Sequence, residues 1–195
     1  MIGEPKRDVR LRVLDARRAM SDEQRSEQDL RLCDITAAWL DARPDADRLT
    51  LAAYAPIPHE PGGPELPAIL ATHAARLLLP VWRPDNDLDW AEFDGDLLAA
   101  GSRPREPGTA RLGPHAIEGA DVVIVPALAV DRFGMRLGRG GGSYDRALAR
   151  LGAGSVALAL LYAGEMLVEP VPSDTHDQRV HAVIDVDGVH WLAPV

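Results

Sequence analysis

The sequence has very little cysteine and lysine and no long hydrophobic run. Of its 195 residues, one is cysteine, Cys33, and one is lysine, Lys6. A single cysteine excludes an internal disulfide framework and a cysteine-based zinc finger. Apolar runs stay far short of the roughly 20 residues that a membrane-spanning helix needs. We therefore expect no membrane partner, and the N-terminal segment, which has no apolar core, predicts no signal peptide.

Positive charge is also scarce, with 21 Lys and Arg against 30 Asp and Glu. The net charge of −9 argues against a general nucleic-acid-binding protein, because binding to a phosphate backbone needs a basic face. Hydrophobic residues make up 46% and charged residues 26% of the chain, a profile typical of a globular protein. We expect one cytoplasmic domain over residues 1–195, a monomer or weak homodimer, with no nucleic-acid partner.

Hydrophobic periodicity predicts two helices, followed by strands that alternate with helices. The first helix covers Lys6–Met20. The second follows Ser21 as N-cap and runs to about Ala42, with Leu30 and Cys33 on its apolar stripe. Strands are predicted at 49–54, 76–82, 90–93, 121–125, 129–131, 156–162 and 180–185, and short helices at 65–75 and 144–151. This alternation predicts an α/β fold with three layers, α/β/α, around a mostly parallel, doubly wound sheet.

The most informative segment is a turn rich in glycine and arginine before the last predicted helix. Residues 136–145 read Arg-Leu-Gly-Arg-Gly-Gly-Gly-Ser-Tyr-Asp. Glycines let backbone N–H groups approach a ligand closely, and the positive end of the following helix adds to an anion cradle. Arg136 and Arg139 could contact phosphate oxygens in bidentate fashion, and Asp145 would then be a magnesium ligand beside them. From the glycines alone, a flexible surface loop that binds nothing stays an alternative.

Three familiar glycine motifs do not fit this turn. A Walker A loop ends in lysine followed by serine or threonine, whereas this turn ends Gly142-Ser143-Tyr144. A dinucleotide-binding fingerprint that starts at Gly138 requires a third glycine where Ser143 stands. The nucleophile elbow requires glycine two residues after its serine, and Asp145 occupies that position.

The turn and its surroundings resemble the 5-formyltetrahydrofolate cyclo-ligase family, also called methenyltetrahydrofolate synthetases. The family signature Gly-x-Arg-Leu-Gly-x-Gly-x-Gly-Tyr-Tyr-Asp matches Gly134–Asp145, except that Ser143 replaces the first tyrosine and Gly141 stands where some members have lysine. Residues 6–10 look like the family's N-terminal Lys-x-x-Leu-Arg, and residues 171–177 match its Val-Pro-x-x-x-His-Asp. The resemblance covers nearly the whole chain in order.

The resemblance implies a ligase of folate and one-carbon metabolism. Such an enzyme converts 5-formyltetrahydrofolate, with or without a polyglutamate tail, into 5,10-methenyltetrahydrofolate, with ATP as co-substrate and Mg²⁺ as cofactor. The implied ATP-binding residues are Lys6, Arg7, Arg10, Arg136, Leu137, Gly138, Arg139, Gly140, Gly141, Gly142, Ser143 and Tyr144. The implied substrate-binding residues are Glu60, Trp82, Arg139, Gly140 and Gly142. Arg136 and Arg139 would be catalytic, and Asp145 and Asp177 would bind the metal.

Several of these residues also have plainer interpretations. Lys6 and Arg10 lie four residues apart on one helical face, and on spacing alone they fit a solvated basic surface better than a binding site. Asp177 fits a turn cap, and Glu60 an exposed loop acid. Trp82, at a strand end, fits a core aromatic. Two other functions stay open: a non-catalytic folate- or nucleotide-binding module, suggested by the two departures from the signature, and a phosphosugar isomerase-like enzyme on a similar α/β fold.

Overall fold

The computed structural model describes residues 5–101 and 103–192. Two helices open the chain, α1 (Lys6–Ala19) and α2 (Asp22–Asp41). The predicted cap of α2 is present, because Ser21 Oγ accepts a hydrogen bond from the Gln24 N–H at 3.1 Å. Gln24 Oε1 accepts one from the Ser21 N–H in return, at 3.0 Å. This reciprocal pair satisfies backbone donors that a helix start otherwise leaves unpaired.

The strands are short and most of them belong to one sheet. In chain order they are β1 (Thr50–Ala52), β2 (Arg76–Trp82), β3 (Leu88–Glu92), β4 (Leu97–Ala100), β5 (Arg103–Pro107), β6 (Val122–Pro126), β7 (Ala129–Asp131), β8 (Arg136–Leu137), β9 (Val156–Leu160), β10 (Met166–Leu167), β11 (Ala182–Asp185) and β12 (Gly188–Trp191). The seven-stranded sheet has the order β12-β11-β9-β6-β1-β2-β3. Its inner strands are parallel, and β3 and β12 pair antiparallel at the two edges. The prediction of a mostly parallel sheet is confirmed.

Helices cover both faces of this sheet, which confirms the three-layer α/β/α prediction. On β9, Leu158 faces α2 and a short helix, α3 (Leu66–Ala71), whereas Ala157 and Ala159 face the opposite way. The opposite face is covered by α4 (Ser143–Leu148), through Ala147 and Leu148. Alternate residues of one strand thus enter two separate cores, as a period of two requires.

Two smaller sheets stand beside the large one. Strand β7 pairs antiparallel with β8 and parallel with β10, and α1 packs on this unit through Val9 and Val13. Strands β4 and β5 form an antiparallel hairpin, which the sequence analysis did not predict. The first unit holds the glycine-rich turn, and the hairpin flanks the end of β2. Within the described ranges, 5–101 and 103–192, we find no helix with the length and apolarity needed to cross a bilayer.

Several local predictions were wrong, two of them in helices α2 and α4. Leu30 is 59% exposed, because the buried face of α2 runs through Leu32 and Thr36 instead. Helix α4 ends at Leu148 rather than Leu151, since the N–H groups of Arg150 and Leu151 bond to carbonyls three residues back, as in Leu151 N–H to Leu148 O at 3.2 Å. Such bonding tightens the last turn and stops an α-helix.

Candidate active site

A cleft of about 280 Å³ opens beyond the carboxyl-terminal ends of β1, β2 and β6. Ligands bind at this edge of a parallel sheet, because the loops that leave the strands present polar groups there. Every residue of Arg136–Asp145 lines the cleft, and Lys6 and Arg10 of α1 join them. Glu60 enters from the loop after β1, and Trp82 from the end of β2.

The β7–β8 hairpin delivers the glycine turn, Gly138–Gly142, to the cleft. Gly140 and Gly142 have φ angles of 111° and 68°, a backbone conformation that side chains with a Cβ rarely adopt. A Cβ added at Gly138 or Gly142 would meet no described heavy atom within 4 Å. Arg10 holds the start of the turn, since its Nε donates to Gly138 O at 2.9 Å. The turn therefore leaves open space against its backbone for a ligand.

Arg136 lies beneath the turn and pairs with Asp145. Its Nη1 donates to Asp145 Oδ1 at 2.8 Å, and the arginine side chain is only 4% exposed. Burial lowers the pKa of Arg136, an effect that the Asp145 carboxylate opposes, and the guanidinium stays charged. Asp145 Oδ1 also accepts the Gln178 N–H at 3.0 Å, whereas Oδ2 receives no hydrogen bond from the described residues. One oxygen of Asp145 is thus open to a cation.

Lys6 lies between two carboxylates at the mouth of the cleft. Its Nζ donates to Asp174 Oδ2 and to Asp177 Oδ2, at 2.7 Å in both cases. Burial raises the pKa of Asp177, but the bonds to Lys6 and to the Asp174 N–H outweigh burial, and the net pKa is lowered. Ligand atoms of Asp174, His176 and Asp177 lie within 4.8 Å of one another. The two aspartate oxygens of this cluster already bind the positive charge of Lys6, and carboxylate oxygens are the ligands that Mg²⁺ prefers.

A salt bridge crosses the cleft between Arg139 and Glu60. Arg139 Nε donates to Glu60 Oε1 at 3.0 Å, and the side chains are 43% and 10% exposed. Glu60 Oε2 accepts the Ile57 N–H at 3.1 Å, which holds the carboxylate at the cleft wall. A residue predicted to bind phosphate thus contacts the residue predicted to bind the second substrate.

The side of the cleft beyond β2 is more apolar. The Trp82 N–H donates to Glu106 Oε1 at 2.8 Å, which ties the end of β2 to β5. Pro104 and Arg105 of the β4–β5 hairpin line the cleft next to Trp82. Arg105 Nη2 donates to Leu97 O at 2.5 Å and forms no ion pair with a carboxylate of the described residues. This wall places Trp82 and Pro104 beside a guanidinium that pairs with no carboxylate of the described residues.

The structure gathers nearly all the residues predicted for the site around one cleft. Those that line it are Lys6, Arg10, Glu60, Trp82, Arg136, Leu137, Gly138, Arg139, Gly140, Gly141, Gly142, Ser143, Tyr144, Asp145 and Asp177. Arg7 does not line it and is exposed. The reason is helical geometry, because successive residues of α1 point about a quarter turn apart, whereas Lys6 and Arg10 share one side.

Sequence reasoning missed several residues that line the cleft, and two of them, Arg17 and Asp174, are charged residues that form ion pairs there. Arg17 is 1% exposed and continues the buried stripe of Val9 and Val13 along α1. An arginine at the next position of a buried helical stripe is a signal that could have found it. Asp174 lies in a loop and has no such periodic signal.

Comparison with known proteins places this chain in a family. Residues 2–186 match the family model described as the 5-formyltetrahydrofolate cyclo-ligase family. The chain belongs to this family. A 5-formyltetrahydrofolate cyclo-ligase of Mycolicibacterium smegmatis is 38% identical over 190 residues, which cover 94% of this chain and 95% of the relative.

Solved structures agree on the cyclo-ligase fold. A 5,10-methenyltetrahydrofolate synthetase of Aquifex aeolicus superposes with a TM-score of 0.76 at 26% identity, over 97% of this chain and 94% of that one. A 5,10-methenyltetrahydrofolate synthetase of Mycoplasma pneumoniae superposes with a TM-score of 0.73 at 21% identity, over 94% of this chain and 99% of that one, which shows the shared fold.

Proposed function

We propose that this cyclo-ligase converts 5-formyltetrahydrofolate and ATP into 5,10-methenyltetrahydrofolate, ADP and phosphate. One observation carries the proposal: the Arg139–Glu60 salt bridge joins a glycine-rich phosphate cradle to a carboxylate suited to pterin N–H groups. Family membership and the relative of the same name support the same reaction.

The chemistry demands activation of an oxygen. The formyl group on N5 is amide-like, so its oxygen is a poor leaving group. The formyl oxygen attacks the γ-phosphorus of ATP, a new P–O bond forms, and the bond from that phosphorus to ADP breaks. N10 then attacks the formyl carbon and loses its proton, and phosphate leaves with the former formyl oxygen. These steps depend on positioning and charge stabilisation more than on a protein nucleophile.

The residues around the glycine turn supply that positioning. We assign the catalytic role to Arg136 and Arg139, whose guanidinium groups stabilise the charge on the transferred phosphoryl group. Lys6, Arg10 and the backbone of Gly138–Gly142 bind the remaining phosphates. When Arg139 turns to the phosphate, it releases Glu60 Oε1, which then accepts N–H groups of the pterin ring. Replacement of the Arg139–Glu60 salt bridge by these two contacts places the phosphate and the pterin next to each other.

Asp145 and Asp177 would hold Mg²⁺ in this scheme. Each carboxylate lines the cleft beside a predicted phosphate-binding cation, and Asp145 Oδ2 is open among the described residues. When bound, Mg²⁺ neutralises phosphate charge, and it is usually held by one or two carboxylates together with the phosphates.

We propose that the tail of the folate extends along the side of the cleft formed by the end of β2 and the β4–β5 hairpin. We place its aminobenzoyl ring against Trp82 and Pro104, and its glutamyl carboxylate, or the first of a polyglutamate tail, toward Arg105. This placement is supported by the presence of Trp82 and Pro104 in the cleft wall and by the Arg105 guanidinium, which pairs with no carboxylate of the described residues. We further propose a single domain over residues 1–195 that works in the cytoplasm as a monomer or weak homodimer.

A spectrophotometric assay tests the function. Purified protein is mixed with 5-formyltetrahydrofolate, ATP and Mg²⁺, and the near-ultraviolet absorbance of the methenyl product is followed, with ADP measured in parallel. We expect product and ADP in equal amounts, and neither when one substrate is omitted. Absence of product with both mono- and polyglutamylated folate contradicts the proposal. Folate or nucleotide binding without ATP consumption would indicate the non-catalytic module instead.

A further inference from the structure

The loop that carries Glu60 is held by an unusual set of contacts to its backbone. Each of the four successive carbonyl groups from His59 to Gly62 accepts a hydrogen bond from a different side chain. The donors are Arg17 Nη1 to His59 O at 3.4 Å, Tyr162 OH to Glu60 O at 3.1 Å, Tyr54 OH to Pro61 O at 2.6 Å and Cys33 Sγ to Gly62 O at 3.4 Å. All four donor side chains belong to buried residues, so the loop is fixed from the core side.

These donors come from four different parts of the fold. Arg17 lies on α1, Cys33 on α2, Tyr54 after β1 and Tyr162 after β9. Because the donors belong to separate elements, the loop cannot shift toward one of them without lengthening its bonds to the others. The Glu60 backbone is therefore tied to the relative placement of both helices and two strands.

The loop also contains a strained residue. His59 has a φ of 68°, a left-handed conformation that is uncommon for residues other than glycine. Such strain persists where the surrounding structure over-determines the backbone, and it is concentrated at ligand-binding sites. His59 immediately precedes Glu60, so the strained backbone lies next to the residue that carries this carboxylate.

Tyr162 and Arg17 are themselves held in place beneath the loop. The Tyr162 hydroxyl has one proton, which it shares between Asp29 Oδ1, at 2.8 Å, and Glu60 O, at 3.1 Å. Arg17 forms a bidentate pair with Glu165, at 2.6 and 2.7 Å, and its guanidinium stacks 5.4 Å from the centre of the Tyr162 ring. Burial lowers the pKa of Arg17, but Glu165 outweighs burial, so the guanidinium stays charged. The two donors thus form one packed unit.

We infer that Tyr162 and Arg17 are positioning residues for folate recognition, which act by fixing the backbone of Glu60 from beneath. The inference rests on the proposed function, because it takes Glu60 as the group that binds the pterin. Neither residue contacts the phosphates in this scheme. Loss of either donor therefore weakens folate binding selectively and leaves nucleotide binding unchanged.

Tyr162→Phe tests the inference with the smallest change, since it removes one hydroxyl and keeps the ring under Arg17. We expect the KM for 5-formyltetrahydrofolate to rise about fivefold, as befits one lost hydrogen bond, with the KM for ATP within about twofold of wild type. Ser155→Ala is the matched control, because it also removes a hydroxyl that donates to a backbone carbonyl, Ala120 O at 2.7 Å, at the amino-terminal side of β9. The control should leave both KM values unchanged.

A double-mutant cycle with Glu60→Gln decides whether Tyr162 acts through Glu60. If it does, Tyr162→Phe raises the folate KM of wild type but adds little in the Glu60→Gln background. Calorimetric titration with 5-formyltetrahydrofolate in the absence of ATP gives the same comparison without turnover. Arg17→Lys, which keeps the charge and loses the bidentate fork, is the second variant, and we expect the same selective rise.

The outcomes separate the inference from the proposed function. Additive effects in the cycle, or equal increases in both KM values, overturn the positioning role while product formation persists. An unchanged folate KM in Tyr162→Phe overturns it as well. If wild-type protein neither forms methenyl product nor binds 5-formyltetrahydrofolate, the proposed function itself has failed.

Discussion

The two walls of the cleft are built by opposite means. The glycine turn, Gly138–Gly142, is held by one side chain at its start, Arg10, and faces open space. The loop His59–Gly62 has every carbonyl bonded to a side chain beneath it. A triphosphate is a flexible ligand with many equivalent oxygens, whereas a pterin is a rigid ring with fixed donors. The difference teaches that each wall matches the rigidity of the ligand assigned to it.

The largest expected effect removes charge from the phosphate wall. Asp145→Asn should lower kcat by about 10²–10³-fold, the range found when a group that stabilises transition-state charge is lost. Asp121→Asn is the control, because Asp121 Oδ2 accepts the Thr50 N–H at the amino-terminal edge of the sheet, away from the cleft. Steady-state kinetics at saturating ATP and Mg²⁺ measure the effect. An Asp145→Asn protein with near-normal kcat would contradict the metal assignment.

The next largest effect is expected when charge is removed from the rigid loop that carries Glu60. Glu60→Gln should raise the folate KM about 10–100-fold, since a hydrogen bond to a charged group is worth about 1.5–3 kcal/mol. The KM for ATP should change less, because Arg139 loses a competing partner rather than a phosphate contact. Glu92→Gln is the comparison variant, as Glu92 pairs with Arg76 on the exposed edge of the sheet. Equal rises in both KM values would contradict the assignment of Glu60 to folate binding and of the glycine turn to ATP binding.

A smaller effect probes the β4–β5 hairpin, where Arg105 lines the cleft beside the end of β2. Wild-type protein should bind 5-formyltetrahydrofolate about fivefold more tightly than 5-formyltetrahydropteroate, which lacks the glutamate, because a rim guanidinium adds a modest charge-assisted bond. Arg105→Ala should reduce this ratio to about one. Arg111→Ala, an exposed arginine outside the cleft, should preserve it. A ratio that survives in Arg105→Ala shows that the tail leaves by another route.

The smallest effect is a chemical one on Cys33. Burial raises the pKa of Cys33 to about 12, so the reactive thiolate is scarce at pH 8. We expect iodoacetamide to label the native thiol far more slowly than the unfolded one, with mass spectrometry as the measurement. Because Cys33 Sγ contacts Gly62 O, labelling reports opening of the rigid loop, and Tyr162→Phe should accelerate it. Rapid labelling of native wild type would contradict the rigidity that we assign to this wall.

The glycine turn could be predicted from its residue types, whereas the rigid loop His59–Gly62 could not. Glycines, arginines and an aspartate in one segment indicate a phosphate-binding turn from residue type alone. Hydrophobic pattern likewise predicted strand β2 with its observed bounds, 76–82. The loop after β1 is different, because its stability comes from backbone carbonyls, which every residue possesses. Tyr54 and Tyr162 give no hint, more than a hundred residues apart, that they serve neighbouring carbonyls.

The same limit explains the elements that were missed or misplaced. The β4–β5 hairpin lies in a segment rich in proline, glycine and aspartate, where local pattern favours turns over strands. Leu30 fits a helical stripe by spacing, but the tertiary contacts of α2 select a neighbouring face. Local sequence pattern predicts the conformation of a segment, whereas the residues it packs against depend on the tertiary structure.

The scarcity of lysine has a practical consequence. The chain has a single lysine, Lys6, and it lies in the cleft between Asp174 and Asp177. An amine-directed fluorophore or cross-linker therefore finds one side-chain target in the folded protein, and that target is at the mouth of the nucleotide wall. Protection of this side-chain amine by a bound ligand, measured by mass spectrometry of the labelled peptide, then reports occupancy of the cleft.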